Sequence, residues 1–423
     1  MTAGTGGLTA QRACDPVERI VNGRLLGRTD LVDIVVVDGR IDEIVPSGAR
    51  GESDEGGLDV GGRLVLPGFV DAHVHLDKAF VDVGDGLDGP ADLEEAIELI
   101  AARRATGSLA SVRRDAERAL DLLVGHGVVA ARVHVEVDPT VGLDLVTMHQ
   151  SLAAETSACA LQLVGFPQRG LSTEAARSLL AAAMKEGLDA VGGCPYADDD
   201  PAAHLDAVFA LAERHDVPID LHLDLGDDPD ASLIDLVVER TLAHGIPGRV
   251  VVGHMTTLAA MDPGRRHAAL DAMATAGIAL VVLPVTDLHL AGRGRPATRS
   301  VAPVAEAAAA GVTVAVANNN VANPFAPFGN GNVLQAAWLA GICERATEST
   351  HSRILLDAIT DNPRRILGLP PHRVEPGADA DLVVVERPAT GLDVISLAPA
   401  VHATVRAGRL RRPGADDLPG ATP

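Results

Sequence analysis

Eight short apolar runs recur through the middle of this chain, with helical stretches between them. They read LPGFVDAHVHLD, VVAARVHVEVD, LQLVGFPQ, DAVGGCPY, PIDLHLDL, RVVVGHMTT, IALVVLPVTD and VTVAVANNN. One intervening stretch, STEAARSLLAAAMKEG, opens on Ser/Thr, carries apolar residues at helical spacing and closes on Gly. Strands that alternate with helices must run parallel, because a helix-length crossover returns the chain to the same end of the sheet. Eight such units predict an α/β fold, a (β/α)8 TIM barrel over residues 67–370. An open doubly wound sheet is the structural alternative, but neither a GxGxxG nor a GxxxxGKS/T loop follows the early strands.

The flanks have a different texture. Residues 1–66 hold RIVNGRLLG, DIVVVDGRIDEIVP and GGRLVLPG, and residues 371–423 hold DADLVVVERP and AVHATVRAGRLRR, all β-rich and broken by Gly turns. Neither piece has enough strands for a core of its own. The two chain ends are therefore expected to pair into one small β-sandwich, ending in a loose tail, RPGADDLPGATP.

Hydrophobic residues are 47% of the chain and aromatics only 2%, so the core must be built from Ala, Val, Leu and Ile. Few aromatics and a formal charge of -23 argue against nucleic acid and anionic membranes as partners. Cys14, Cys159, Cys194 and Cys343 form no CxxC pair, which excludes a thiolate zinc site of the usual spacing. No apolar signal core opens the sequence and no stretch is long enough to span a bilayer, so a cytoplasmic protein is expected. A small-molecule substrate is the expected partner; a homo-oligomer is left open.

Histidines sit where barrels keep their chemistry, at the C-terminal ends of strands. His73 and His75 end the first run. Two apart on a strand, they project to one face and can chelate Zn²⁺ or Fe²⁺. His222 follows the fifth run and His254 the sixth. A lone histidine at a strand end is usually structural; four at one barrel mouth point to a metal or a substrate.

At this point the chain resembles the amidohydrolase superfamily. LPGFVDAHVHLDK looks like its strand-one signature, and the LDK extension is similar to cytosine deaminases and triazine-ring hydrolases. ARVHVEVD, GFPQRG, IDLHLDL, GHMTTL, LPVTDLHLAGRG, VANNNVANPFAPFGNGNVLQ and DNPRRILGL follow in the same order. The resemblance implies His73, His75 and His222 as ligands of one divalent metal ion, Zn or Fe. It implies Gln168 as the amide that binds a pyrimidine-like ring, and His254 as the group that contacts the leaving group or the attacking water. No Lys ends strand four, which implies a mononuclear centre.

Two positions depart from that family pattern. Leu225 stands where the family has its proton-shuttling Glu, and Asn319 where it has a metal-binding Asp. Leucine cannot titrate, and a neutral amide is at best a weak ligand or a substrate contact. With its acid gone, the metal is expected to bind weakly or to be lost.

Asp224 and Asp287 are the carboxylates nearest these gaps. Asp224 would need a bulge to turn inward. Asp287 is the candidate proton carrier, although a loop Asp after strand seven is ordinarily solvated. His289 is a candidate substrate contact at the mouth. Lys78 reads as solvated, His134 as part of the barrel wall and Trp338 as helix packing.

The leading reading is a metal-dependent amidohydrolase acting on a C–N bond of a small nitrogen-containing ring. The alternatives are a non-hydrolytic enzyme on the same scaffold (cyclisation, dehydration or isomerisation) and a non-catalytic small-molecule-binding protein.

Overall fold

The computed structural model of the chain describes residues 15–49, 57–81, 92–293, 298–347, 349–386 and 393–411. Cys14 and the tail from residue 412 onward lie outside the described residues. Eight parallel strands line the middle of the chain. They are β1 (Phe69–Val74), β2 (Val128–Glu136), β3 (Ala160–Phe166), β4 (Ala190–Gly193), β5 (Ile219–Leu223), β6 (Val250–His254), β7 (Ala279–Val282) and β8 (Val314–Val316). Each is hydrogen-bonded to the next in chain order. A bridge between Val74 and Asn319 brings the last strand back to the first. Two backbone hydrogen bonds complete that seam, from Asn319 N to His73 O and from His75 N to Asn319 O, both 2.8 Å.

The helices form where the sequence provides caps. Thr173, for example, accepts a hydrogen bond from Ala176 N at 3.1 Å and starts the helix Glu174–Lys185. Between helices and barrel lies a core of Leu, Val, Ala and Ile side chains, as the scarcity of aromatics requires. The three free cysteines among the described residues form no disulfide. No helix among them is long and apolar enough to cross a membrane.

The barrel interior has two layers. Val70, Ala72, Val251, Ala279, Val281, Ala315 and Ala317 form an apolar cluster that also takes in Leu367, just past the helix Asp361–Ile366. Within the same interior Arg132 is 1% exposed. Its guanidinium donates to Asp220 Oδ2 (2.9 Å), Gln162 Oε1 (3.0 Å) and the Ile366 carbonyl (3.0 Å). A buried cation with each of these acceptors in reach ties three barrel segments together.

The β-sandwich from both chain ends is one curled nine-stranded sheet. Its junction is Leu64–Pro67 running antiparallel to Leu382–Val385, so residues more than 300 apart in sequence share one ladder. Ile20, Ile34, Ile41, Val60, Leu382 and Val405 fill its own core.

Candidate active site at the barrel mouth

A register shift between Asp71 and Val74 interrupts the pairing of β1 with β2. Val70 and Ala72 join the apolar barrel cluster, while the His73 and His75 rings meet histidines of other strands. Gly253 on β6 leaves room for this, since a Cβ there would stand 3.3 Å from the His73 ring. His222, on β5, is the meeting point. Its Nε2 lies 3.1 Å from His73 Nε2 and 3.0 Å from His75 Nε2.

That convergence tests whether a metal fits. One ring nitrogen has either one proton or one lone pair, so His222 Nε2 cannot satisfy two other nitrogens by hydrogen bonding. Ligand nitrogens on a tetrahedral Zn²⁺ at 2.0–2.1 Å stand about 3.3 Å apart, close to the separations seen here. Burial holds all three imidazoles well below their usual pKa and thus neutral, the state in which they ligate. Asn319 Oδ1, beside them on the cavity wall, is buried without a hydrogen-bond partner. The residues fit a cation.

His134 lies on β2, in the barrel wall, and packs against the histidine cluster. Its ring stacks on His73, with centroids 3.8 Å apart and 24° between planes, and neither of its nitrogens has a hydrogen-bond partner. His73, His134 and His222 bring ligand atoms within 4.8 Å of one another. Ligation needs the metal in the plane of each ring, and two rings stacked face to face cannot share one ion well. His75 therefore completes the better triad, with His134 packed as its floor.

Above the triad, Asp287 corrects the expectation of a solvated loop. It lies on the short helix Pro284–Leu290, fully buried, with Oδ1 2.6 Å from His254 Nδ1 and Oδ2 accepting from Leu283 N at 3.3 Å. Burial raises its pKa, and the contact with His254 opposes that rise. His254 holds a left-handed backbone at φ 73°, as does Asn319 at 61°, so both wall residues sit in conformations a side chain seldom adopts.

Other assignments change as well. Asp224, at φ 54°, turns its carboxylate to Ser232 Oγ, Leu233 N and Thr257 Oγ1, and so caps a loop. His289 is half-buried and does not reach the cavity wall; its carbonyl accepts from Arg293 at 2.7 Å. Lys78 is 1% exposed rather than solvated, and donates to Gln168 Oε1 at 2.9 Å. Trp338 is 41% exposed, so it packs only in part. Tyr196, unassigned from its sequence context, also lines the cavity.

The cavity is narrow, about 20 Å³, and open to solvent. His75, His222, His254, Lys78, Gln168 and Asn319 give its lining polar atoms, and Leu93, Leu225, Leu290 and Phe325 give it apolar surface. Leu225 packs in one apolar cluster with Ile100, Leu290 and Phe325. The Glu of the family pattern is thus replaced by a continuous greasy surface.

The model of the amidohydrolase family matches residues 57–162 and 148–411. This chain belongs to that family. The amidohydrolase is similar over its whole fold to the 5-methylcytosine deaminase of Klebsiella pneumoniae, solved with phosphonocytosine. The TM-score is 0.86 at 26% identity, covering 93% of this chain and 97% of that one. It is 27% identical to the N-isopropylammelide isopropyl amidohydrolase of Pseudomonas sp. strain ADP, over 86% of this chain and 90% of the relative. It is 32% identical to a pterin deaminase of Rhizobium rhizogenes, where the match spans only about half of each protein, 53% and 52%. As an amidohydrolase, the protein is a hydrolase of C–N bonds.

Proposed function

We propose that this amidohydrolase removes an exocyclic amine from a small, flat, nitrogen-rich ring, with His254 and Asp287 moving the protons. The relatives named above, which deaminate or de-alkylaminate such rings by their names, support that substrate class. The observation that carries the proton route is the 2.6 Å contact between Asp287 Oδ1 and His254 Nδ1 at the cavity wall.

Asp287 keeps the proton of His254 on Nδ1, which leaves the other ring nitrogen as the base toward the cavity. Water adds to the amine-bearing ring carbon and gives its proton to that nitrogen. The C–N bond then breaks, the amine takes the proton back from His254, and the ring keeps the oxygen. Asp287 stabilises the imidazolium formed between these steps, as a buried carboxylate does for any paired histidine. Gln168 orients the ring through its amide, and Leu225 with Phe325 excludes bulk water from one face.

His73, His75 and His222 would hold a divalent cation, Zn²⁺ or Fe²⁺, with the Asn319 amide beside it. Such an ion supplies Lewis acidity and lowers the pKa of an adjacent water.

The test is turnover in ¹⁸O-labelled water on a panel of aminopyrimidines, aminopterins and N-alkylaminotriazines, with metal content measured on the same protein. Hydrolysis places one ¹⁸O in the ring product. Turnover without label would replace this reading by a non-hydrolytic reaction, and a protein that binds ring compounds without converting any would be the non-catalytic alternative.

A further inference from the structure

Among the described residues lining the cavity none is a carboxylate, and one is a cation, Lys78. The acids that balance Lys78 lie behind it. Glu136 Oε2 is 3.8 Å from Nζ, beyond hydrogen-bond reach. Glu136 is held instead by Arg104 at 2.5 Å, and Arg104 also grips Asp77 at 2.9 Å. The Phe166 and Phe325 rings flank the ammonium, with centroids 5.4 and 5.1 Å away.

The one hydrogen bond described for Nζ goes to Gln168 Oε1, 2.9 Å away. An ammonium has three donors and no acceptor, so Gln168 must turn its oxygen toward Lys78. That leaves the Gln168 NH₂ and the remaining Lys78 N–H groups as neighbouring donors at one end of the cavity. A subsite of donors alone, around a buried positive charge, suits a group that only accepts and is negative. Leu225 and Asn319, both uncharged, stand at the two wall positions where the family pattern carries acids. Nothing on the described wall repels an anion.

The geometry points to an anionic substrate: a flat nitrogen heterocycle whose ring carboxylate is received by Lys78 and the Gln168 amide, with its amine turned toward His254. This rests on the reading of the cavity as the substrate site. It differs from that reading in naming a charge that binding alone can detect.

The experiment is calorimetric titration of cytosine-5-carboxylate against cytosine-5-carboxamide, nearly isosteric and different in charge. It is repeated with the corresponding aminopyrazine and aminotriazine pairs, so that no single ring decides. His254→Ala is used beside the wild type to suppress turnover. The carboxylate should bind at least tenfold more tightly, and Lys78→Met should bring the ratio to within about twofold while both ligands still bind. Equal or tighter binding of the carboxamides by the wild type overturns the proposal without any variant. So does a Lys78→Met protein, folded by circular dichroism, that keeps the preference. Turnover of neutral amines in labelled water, with no binding of carboxylates, would leave the hydrolase standing and remove the anion. Preferential binding of carboxylates with no turnover of any amine would do the reverse.

Discussion

Asp287 and His254 meet at 2.6 Å although 33 residues separate them, and both are buried. They come from adjacent barrel units, one at the end of β6 and the other on the helix that follows β7. Asp287→Asn keeps the shape and removes the charge. It should lower kcat by about 10²–10⁴ while KM changes little, because the loss falls on proton transfer rather than on ring binding. Steady-state kinetics across pH would check this. Unchanged kcat would take Asp287 out of the proton route.

Asn319→Asp is expected to strengthen the metal centre. Its side-chain oxygen already sits unpartnered beside the triad, and Asp tolerates the left-handed backbone about as well as Asn does. Metal competition with a chromophoric chelator should show affinity rising by at least about tenfold, since a charged oxygen replaces a neutral one. No gain in affinity would mean that position 319 does not reach the ion.

Arg132→Leu should be among the most damaging single changes outside the cavity. It strips a buried carboxylate, Asp220, of the cation at 2.9 Å, and frees the Ile366 carbonyl and Gln162 from their donor. Removing one partner of such a pair costs about 3–5 kcal/mol. Chemical denaturation would read the loss. The double change Arg132→Leu with Asp220→Leu should recover part of it, because no bare charge then remains.

The metal-free protein should be acid-labile near neutrality. Burial holds His73, His75, His134, His149 and His222 below the ordinary imidazole value of 6.5, so the unfolded chain binds these protons first. Stability contributed by each is therefore present above about pH 6.5 and lost as pH falls toward the folded value. Asp71 and Asp220 work the other way. Burial raises both from 3.8 to about 6, so the folded chain holds their protons and gains stability as pH falls from about 6 to 4. Scanning calorimetry should show Tm falling from about pH 7.5 and continuing to fall below pH 6, because the two carboxylates offset only part of what five histidines lose. Calorimetry in two buffers of different ionisation enthalpy should find proton uptake on unfolding near pH 6.5. A flat Tm over that first interval would contradict the assignment of neutral buried histidines.

The barrel was legible because its signal is local: eight apolar runs and their helical spacers each declare themselves within a dozen residues. HxH at a strand end is equally local, whereas Gln168 was singled out by the family resemblance alone. What escaped reading depends on distant partners. Asp287 looks solvated until His254 is set against it, and Lys78 looks solvated until Glu136, Arg104 and Gln168 surround it. His134 was legible as a wall residue but not as a neighbour of His73, because the stacking joins rings on two strands. Asp224 was legible in its need for an irregular backbone but not in its purpose, which is to hold Ser232, Leu233 and Thr257.

The closure of the ring between Val74 and Asn319 has a consequence for how the protein is made. His73 and His75 leave the ribosome early, but the residue that backs them arrives some 240 positions later, and the sheet that anchors β1 waits for Leu382–Val385. A nascent chain therefore carries its histidines for most of synthesis without the pocket that surrounds them in the folded protein. Any ion that the site takes would then be captured late, from whatever surrounds the finished protein rather than from what the growing chain meets first.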